Sequence, residues 1–140
     1  MKTPVHLLIS LIIAVAFYPL HSWKVVFIIV GGVLIDIDHY FWYVYKYKEL
    51  SIIKSYKFYI KNINENNFSN VFGILLAFHT IEFLLLMLAL SFYNQFVLIF
   101  TIGLLSHYVL DLIYLCFIPK RLIVNHSIIY WVFKNKIQKV

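Results

Sequence analysis

Four of the six acidic residues of this chain, Asp36, Asp38, Glu82 and Asp111, lie inside apolar runs rather than between them. A carboxylate at the centre of a membrane span costs at least about 2.5–3.5 kcal/mol. A fold that accepts several must offer them a compensating partner. The runs are 4–20, 23–45, 71–93 and 96–118, and a helical span needs about 17–25 residues. Only 13% of the chain is charged and 63% is hydrophobic, against about a quarter charged in a soluble domain. No long polar segment separates the runs. The expectation is one all-α domain, an integral membrane four-helix bundle occupying 1–140. The first run follows Lys2 and could pass for a signal peptide. The bulky "FYPLHSW" after it offers no small-residue cleavage site, so a span is expected there instead.

The basic residues orient these spans. Lys2, then Lys46, Lys48, Lys54, Lys57 and Lys61, then Lys120, Arg121, Lys134, Lys136 and Lys139 fall on one side of a four-span topology. They are eleven of the twelve cations, and only Lys24 is opposite. The positive-inside rule makes that side cytoplasmic, with both termini there, in a plasma or inner membrane. The net charge of +6 is thereby assigned to topology and anionic lipid headgroups, not to nucleic acid. "LSIIKSYKFYIKNI" and the tail "RLIVNHSIIYWVFKNKIQKV" mix apolar and basic residues as amphipathic interfacial segments do. "NENNFSN" between the first of these and the third run reads as a turn. The single cysteine, Cys116, excludes an internal disulfide.

Histidines follow the acids into the spans. Span one holds His6; span two holds Asp36, Asp38 and His39. Span three holds His79 and Glu82, and span four His107 and Asp111. At about 1.5 Å per residue, the pairs on spans two to four lie roughly 10–20 Å from the cytoplasmic ends, and His6 starts at that same side. His107 and Asp111 are i,i+4; Asp36 and His39, like His79 and Glu82, are i,i+3. Each pair should share a helix face. Asp38 should point elsewhere on a regular helix, unless the helix is irregular there. Gly31 and Gly32 permit close packing or a kink. No Lys or Arg lies deep in a span, so the countercharge is protons or metal ions. Imidazole with carboxylate suits Zn²⁺, Mn²⁺ or Fe²⁺. Eight candidate ligands suit one or two ions, and two ions fit phosphoester hydrolysis. Asp38 and Glu82 are the carboxylates expected to act as acid–base groups.

"TPVHLLIS", "GGVLIDIDHY", "FHTIEF" and "GLLSHYVLDLI" together resemble the YdjM-like, LexA-regulated family of membrane-bound metal-dependent hydrolases. The likeness covers most of the chain, and its Asp-x-Asp-His and His-x-x-x-Asp motifs are the most specific. It implies metal ligands at His6, Asp36, Asp38, His39, His79, His107 and Asp111, and distant kinship with zinc-dependent phospholipase C. Ile35 stands where family members often carry proline, and "FHTIEF" lacks the arginine common near the third motif. The expected function is hydrolysis of a lipid or lipid-linked phosphate or ester at the cytoplasmic interface. The alternative is a transporter or a proton or metal-ion relay built on the same buried groups. Haem ligation ranks below both, because it would not require a carboxylate beside each histidine.

Overall fold

A computed structural model describes residues 3–65, 75–117 and 127–137. Their regular elements are helices. In chain order they are α1 (Thr3–His21), a 3₁₀ turn (Ser22–Val25), α2 (Val26–Val33), a second 3₁₀ turn (Leu34–Asp36), and α3 (Ile37–Tyr47). Then come α4 (Ile52–Asn64), a third 3₁₀ turn (Ala77–His79), α5 (Ile81–Ser91), α6 (Gln95–Phe117) and α7 (Ile128–Ile137). Two helical stretches, Thr3–Tyr47 and Gln95–Tyr114, are long and apolar enough to cross a membrane. The first folds back on itself at Ser22, whose φ of 53° lies in the left-handed region.

Paired residues give the helix directions. Thr3 bonds Asp36, and Ser10 lies against Gly32. One number rises as the other falls, so α1 runs antiparallel to α2. Lys24 bonds Gln95, Gly31 lies on the Phe100 carbonyl, and His107 reaches the Gly32 carbonyl. Both numbers rise, so α2 and α6 are parallel. Thr101 faces the Met87 carbonyl and Tyr108 the Thr80 carbonyl, so α5 is antiparallel to α6. At the end away from the acids, Ala14, Val25, Ile28 and Ile99 form a buried apolar cluster.

Small residues set the spacing at the centre. A methyl added to Gly103 would fall on the Ile28 carbonyl, one on Gly31 on the Phe100 carbonyl, and one on Gly32 on the Ser10 hydroxyl. Backbones this close exchange side-chain volume for direct van der Waals contact, the packing small residues provide between apolar helices.

The third run departs from expectation. Within 71–93, residues 71–74 lie outside the described residues, and helix occupies only Ile81–Ser91. At about 1.5 Å per residue that is roughly 16 Å, about half a bilayer core. Thr80 is the cause. It is extended, and its hydroxyl accepts the Phe83 amide as a helix N-cap. The helix therefore starts after His79 instead of running through it. The second run is likewise broken by the 3₁₀ turn at Leu34–Asp36, the irregularity that the sequence reading allowed.

The expected interfacial segments both contain helices, α4 and α7. The turn expected in "NENNFSN" lies, beyond Glu65, outside the described residues, as do Lys2, Lys120, Arg121 and Lys139. α4 packs back on α3 through aromatic rings: Phe58 stands 5.5 Å from Tyr43 and 5.1 Å from Tyr47. Lys48 ends α3 in a left-handed conformation, its amide bonding the Val44 carbonyl. Outside this joint, Glu49 is held below its usual range by its hydrogen bond to Lys54.

Gly103→Val should lower the unfolding temperature of the detergent-solubilised protein, with an overpacking cost of about 1–3 kcal/mol. Leu112→Val on the exposed face of the same helix should change it little. Thermal unfolding followed by circular dichroism compares the two.

Candidate metal centre

The hydrogen bonds of two buried histidines fix where their lone pairs point. His107 Nδ1 stands 2.9 Å from the Gly32 carbonyl. A carbonyl only accepts, so Nδ1 carries the proton and Nε2 of the neutral ring is a lone pair. His79 Nδ1 stands 2.9 Å from Asp38 Oδ2, and in the neutral ring the same logic leaves its Nε2 a lone pair. Yet the two Nε2 atoms are only 3.2 Å apart. Between two neutral rings so oriented there is no proton to share.

Carboxylates crowd the same point. Asp36 Oδ1 is 3.5 Å from His79 Nε2 and 3.6 Å from His107 Nε2. Asp111 Oδ2 is 3.3 Å from His107 Nε2 and 3.9 Å from His79 Nε2. Among the described residues no Lys or Arg pairs with Asp36 or Asp38, which meet only histidines as possible cations. Donor atoms about 2.1 Å from a tetrahedral centre sit about 3.4 Å from one another. The triangle of His79, His107 and Asp36, with sides of 3.2, 3.5 and 3.6 Å, has that edge length.

Three such groups can hold a metal ion: His6 with His107 and Asp111, Asp36 with His79 and His107, and Asp38 with His39 and His79. The first and third share no residue. Asp36 lies between them, its Oδ1 also 3.7 Å from His39 Nε2. His6 is fully enclosed and stacks on His107, ring centroids 3.8 Å apart. Its Nε2 lies 3.2 Å from Asp111 Oδ1. Neither ring nitrogen of His6 makes a hydrogen bond, and Ser10 Oγ, Asp38 Oδ1 and His39 Nδ1 are buried without one as well. A buried polar atom left unsatisfied costs about 1–3 kcal/mol. The histidine and aspartate orphans belong to the first and third groups, where coordination would satisfy them; Ser10 Oγ belongs to none.

The sequence places most of these donors by simple means. His107 and Asp111 share a face of regular helix α6. Asp36 and His39 flank the joint between the 3₁₀ turn and α3. That turn also swings Asp38 inward, where its Oδ2 accepts both the Phe78 amide, at 3.1 Å, and His79. Asp38, expected to point elsewhere on a regular helix, therefore joins the cluster and orients His79.

Glu82 does not join it. With Thr80 extended, His79 and Glu82 no longer share a helix face. The Glu82 carboxylate accepts Ser127 Oγ at 2.6 Å and the Ile128 and Ile129 amides at 3.2 and 3.3 Å. It caps α7, and an acid–base role at the cluster is replaced by this anchoring one.

Spacing alone missed four contributors. Tyr108 Oη lies 2.9 and 2.8 Å from the Phe78 and Thr80 carbonyls, the two that flank His79. Gly32 supplies the carbonyl that sets the His107 tautomer. Ser10, Gly32 and Gly103 each stand four residues from a ligand (His6, Asp36 and His107), one turn away on the same face. That recurrence is legible in the sequence once the ligands are suspected.

No family model matches the chain, and no curated protein or solved structure matches it either.

Asp38→Asn should weaken divalent-metal binding about 10–100-fold, as loss of a histidine's orienting partner does. Glu82→Gln should leave binding unchanged and loosen α7. Metal titration of the two purified variants, with limited proteolysis of the tail, separates these effects.

Proposed function

We propose that this protein is a membrane-embedded, metal-dependent hydrolase acting on a lipid or lipid-linked phosphate or ester. The observation that carries the reading is the convergence of His79 Nε2, His107 Nε2 and Asp36 Oδ1 on one point. The seven residues implied by the resemblance to the YdjM-like hydrolases are those that make up the three donor groups.

The donor set fits an ion on His79, His107 and Asp36, with His6 and Asp111 flanking it on one side and His39 on the other, while Asp38 orients His79. Hard oxygen and borderline imidazole donors favour Zn²⁺, then Mn²⁺ or Fe²⁺. A divalent ion bound there supplies Lewis acidity and a nucleophilic water at neutral pH. The chain's own groups do the rest. Gly32 and Asp38 hold the two imidazoles in the ligating tautomer. Thr3 donates to Asp36 Oδ2 at 3.2 Å, leaving Oδ1 for the ion. Tyr59, whose phenol burial keeps protonated, donates to the His39 carbonyl at 2.9 Å and ties α4 to the rim.

The membrane placement is part of the proposal. Val15, Leu20, Leu85 and Leu112 are large apolar side chains more than half exposed, a surface suited to lipid. The third crossing combines α5 with the irregular 75–80 segment. Non-helical backbone is tolerated at membrane depth only where protein satisfies it. Leu76, His79 and Thr80 are buried, and Tyr108 and Asp38 take the freed polar groups. Lys46, Lys48, Lys54, Lys57 and Lys61 follow the donors at the α3–α4 end, and Lys24 lies at the other. Positive-inside placement makes the donor end cytoplasmic, with both termini on that side. The cations there can attract an anionic headgroup.

Purified protein should bind Zn²⁺ and should lose it on His107→Ala substitution. It should hydrolyse phosphate or acyl ester bonds in a lipid panel, lose turnover to chelator and regain it with metal. Absence of turnover, with metal or proton flux in proteoliposomes that depends on Asp36 and His107, would replace the hydrolase with a transporter.

A further inference from the structure

Val30, Leu34, Ile35, Phe78, Phe83 and Phe100 line an open cleft of about 180 Å³ where α2, α5 and α6 meet. All six side chains are apolar. No donor lines the cleft, but two of its residues adjoin donors in the chain: Ile35 precedes Asp36 and Phe78 precedes His79. It also has a direction. Val30 lies six residues before Asp36 and Phe100 seven before His107. At about 1.5 Å per residue the cleft extends roughly 10 Å from the donors, away from the α3–α4 end. Ile35 is buried in its floor, while Leu34 is 57% exposed and forms its open edge.

We propose that this cleft holds the hydrocarbon chain of the substrate, so that the site takes a single amphiphile with its polar group at the metal donors and its chain along α2. The inference rests on the hydrolase reading. An apolar cavity of about 150 Å³ stays dry and accepts a small hydrocarbon. A cleft of this size suits a short stretch of alkyl chain and is too narrow for a helix about 10 Å across. Water finds no hydrogen-bonding side chain in it. With the donor end at the membrane interface, the cleft runs in the direction of the acyl chains of the surrounding leaflet. A lipid can then present its headgroup to the donors without leaving the bilayer. Phe78 links the two halves: its side chain lines the cleft while its amide holds Asp38 Oδ2.

The probe is dodecyl phosphate carrying a diazirine at the chain end, photolysed with Zn²⁺-loaded protein in nanodiscs and mapped by mass spectrometry. Adducts should concentrate on Val30, Phe83 or Phe100 over lipid-facing controls such as Val15 and Leu112. Chelation, which frees the phosphate, should disperse them. Leu34→Trp, at the open edge, should cut cleft adducts about tenfold by excluding two or so methylenes, with metal content and helicity unchanged. Val30→Trp provides a second plug should the first variant fail to fold. Adducts spread evenly over lipid-facing positions and indifferent to either plug would overturn the proposal. Turnover of the lipid panel is scored separately. Confined, metal-dependent labelling without turnover supports the chain site and counts against the hydrolase.

Discussion

Two imidazole nitrogens 3.2 Å apart, each on a ring held by a hydrogen bond on its far side, are the constraint on which the rest of the structure turns. With neither a proton nor a cation between them, they repel each other and the carboxylates of Asp36 and Asp111 beside them. A divalent cation turns every one of those contacts from a cost into a bond. Asp36 and Asp38 then have the partner that, among the described residues, no lysine or arginine provides.

The surrounding packing serves this point. Gly31, Gly32 and Gly103 let α2 and α6 approach until His107 reaches a backbone carbonyl of its neighbour. Ser10 does the same for α1, bringing His6 flat against His107. Larger residues at these positions would separate the helices and pull the donors apart. Stability and ligation are therefore coupled through the same small side chains. The 75–80 segment shows the coupling from the other side. It gives up helical hydrogen bonds, and Asp38 and Tyr108 take up the groups released. His79 is thus held by a 3₁₀ hydrogen bond to the Leu76 carbonyl and by tertiary contacts from Asp38 and Tyr108.

What the sequence revealed followed from regular geometry. His107 and Asp111 lie where helical periodicity puts them because α6 is unbroken from Gln95 to Phe117. The all-helical fold and the two long apolar stretches follow from run length. Where the backbone leaves the helix, periodicity failed. His79 and Glu82 were paired by spacing, but Thr80 caps α5 between them and sends the two side chains to different partners. Asp38 was turned away by the same rule and brought back by the 3₁₀ turn before it. A threonine ahead of the apolar run "IEFLLLMLAL" is a recognisable N-cap signal, and weighing it against the assumption of a full-length span would have separated Glu82 from the cluster. The reach of Tyr108 to the carbonyls on either side of His79 depends on tertiary contact and left no mark on local spacing.

X-ray absorption at the zinc edge, on protein loaded with Zn²⁺ and washed free of excess, tests the central claim most directly. Convergent donors predict a first shell of nitrogen and oxygen at about 2.0–2.2 Å, with the outer-shell scattering of at least two imidazole rings per protein. A shell of water oxygens without imidazole scattering, or no zinc retained after washing, would contradict it.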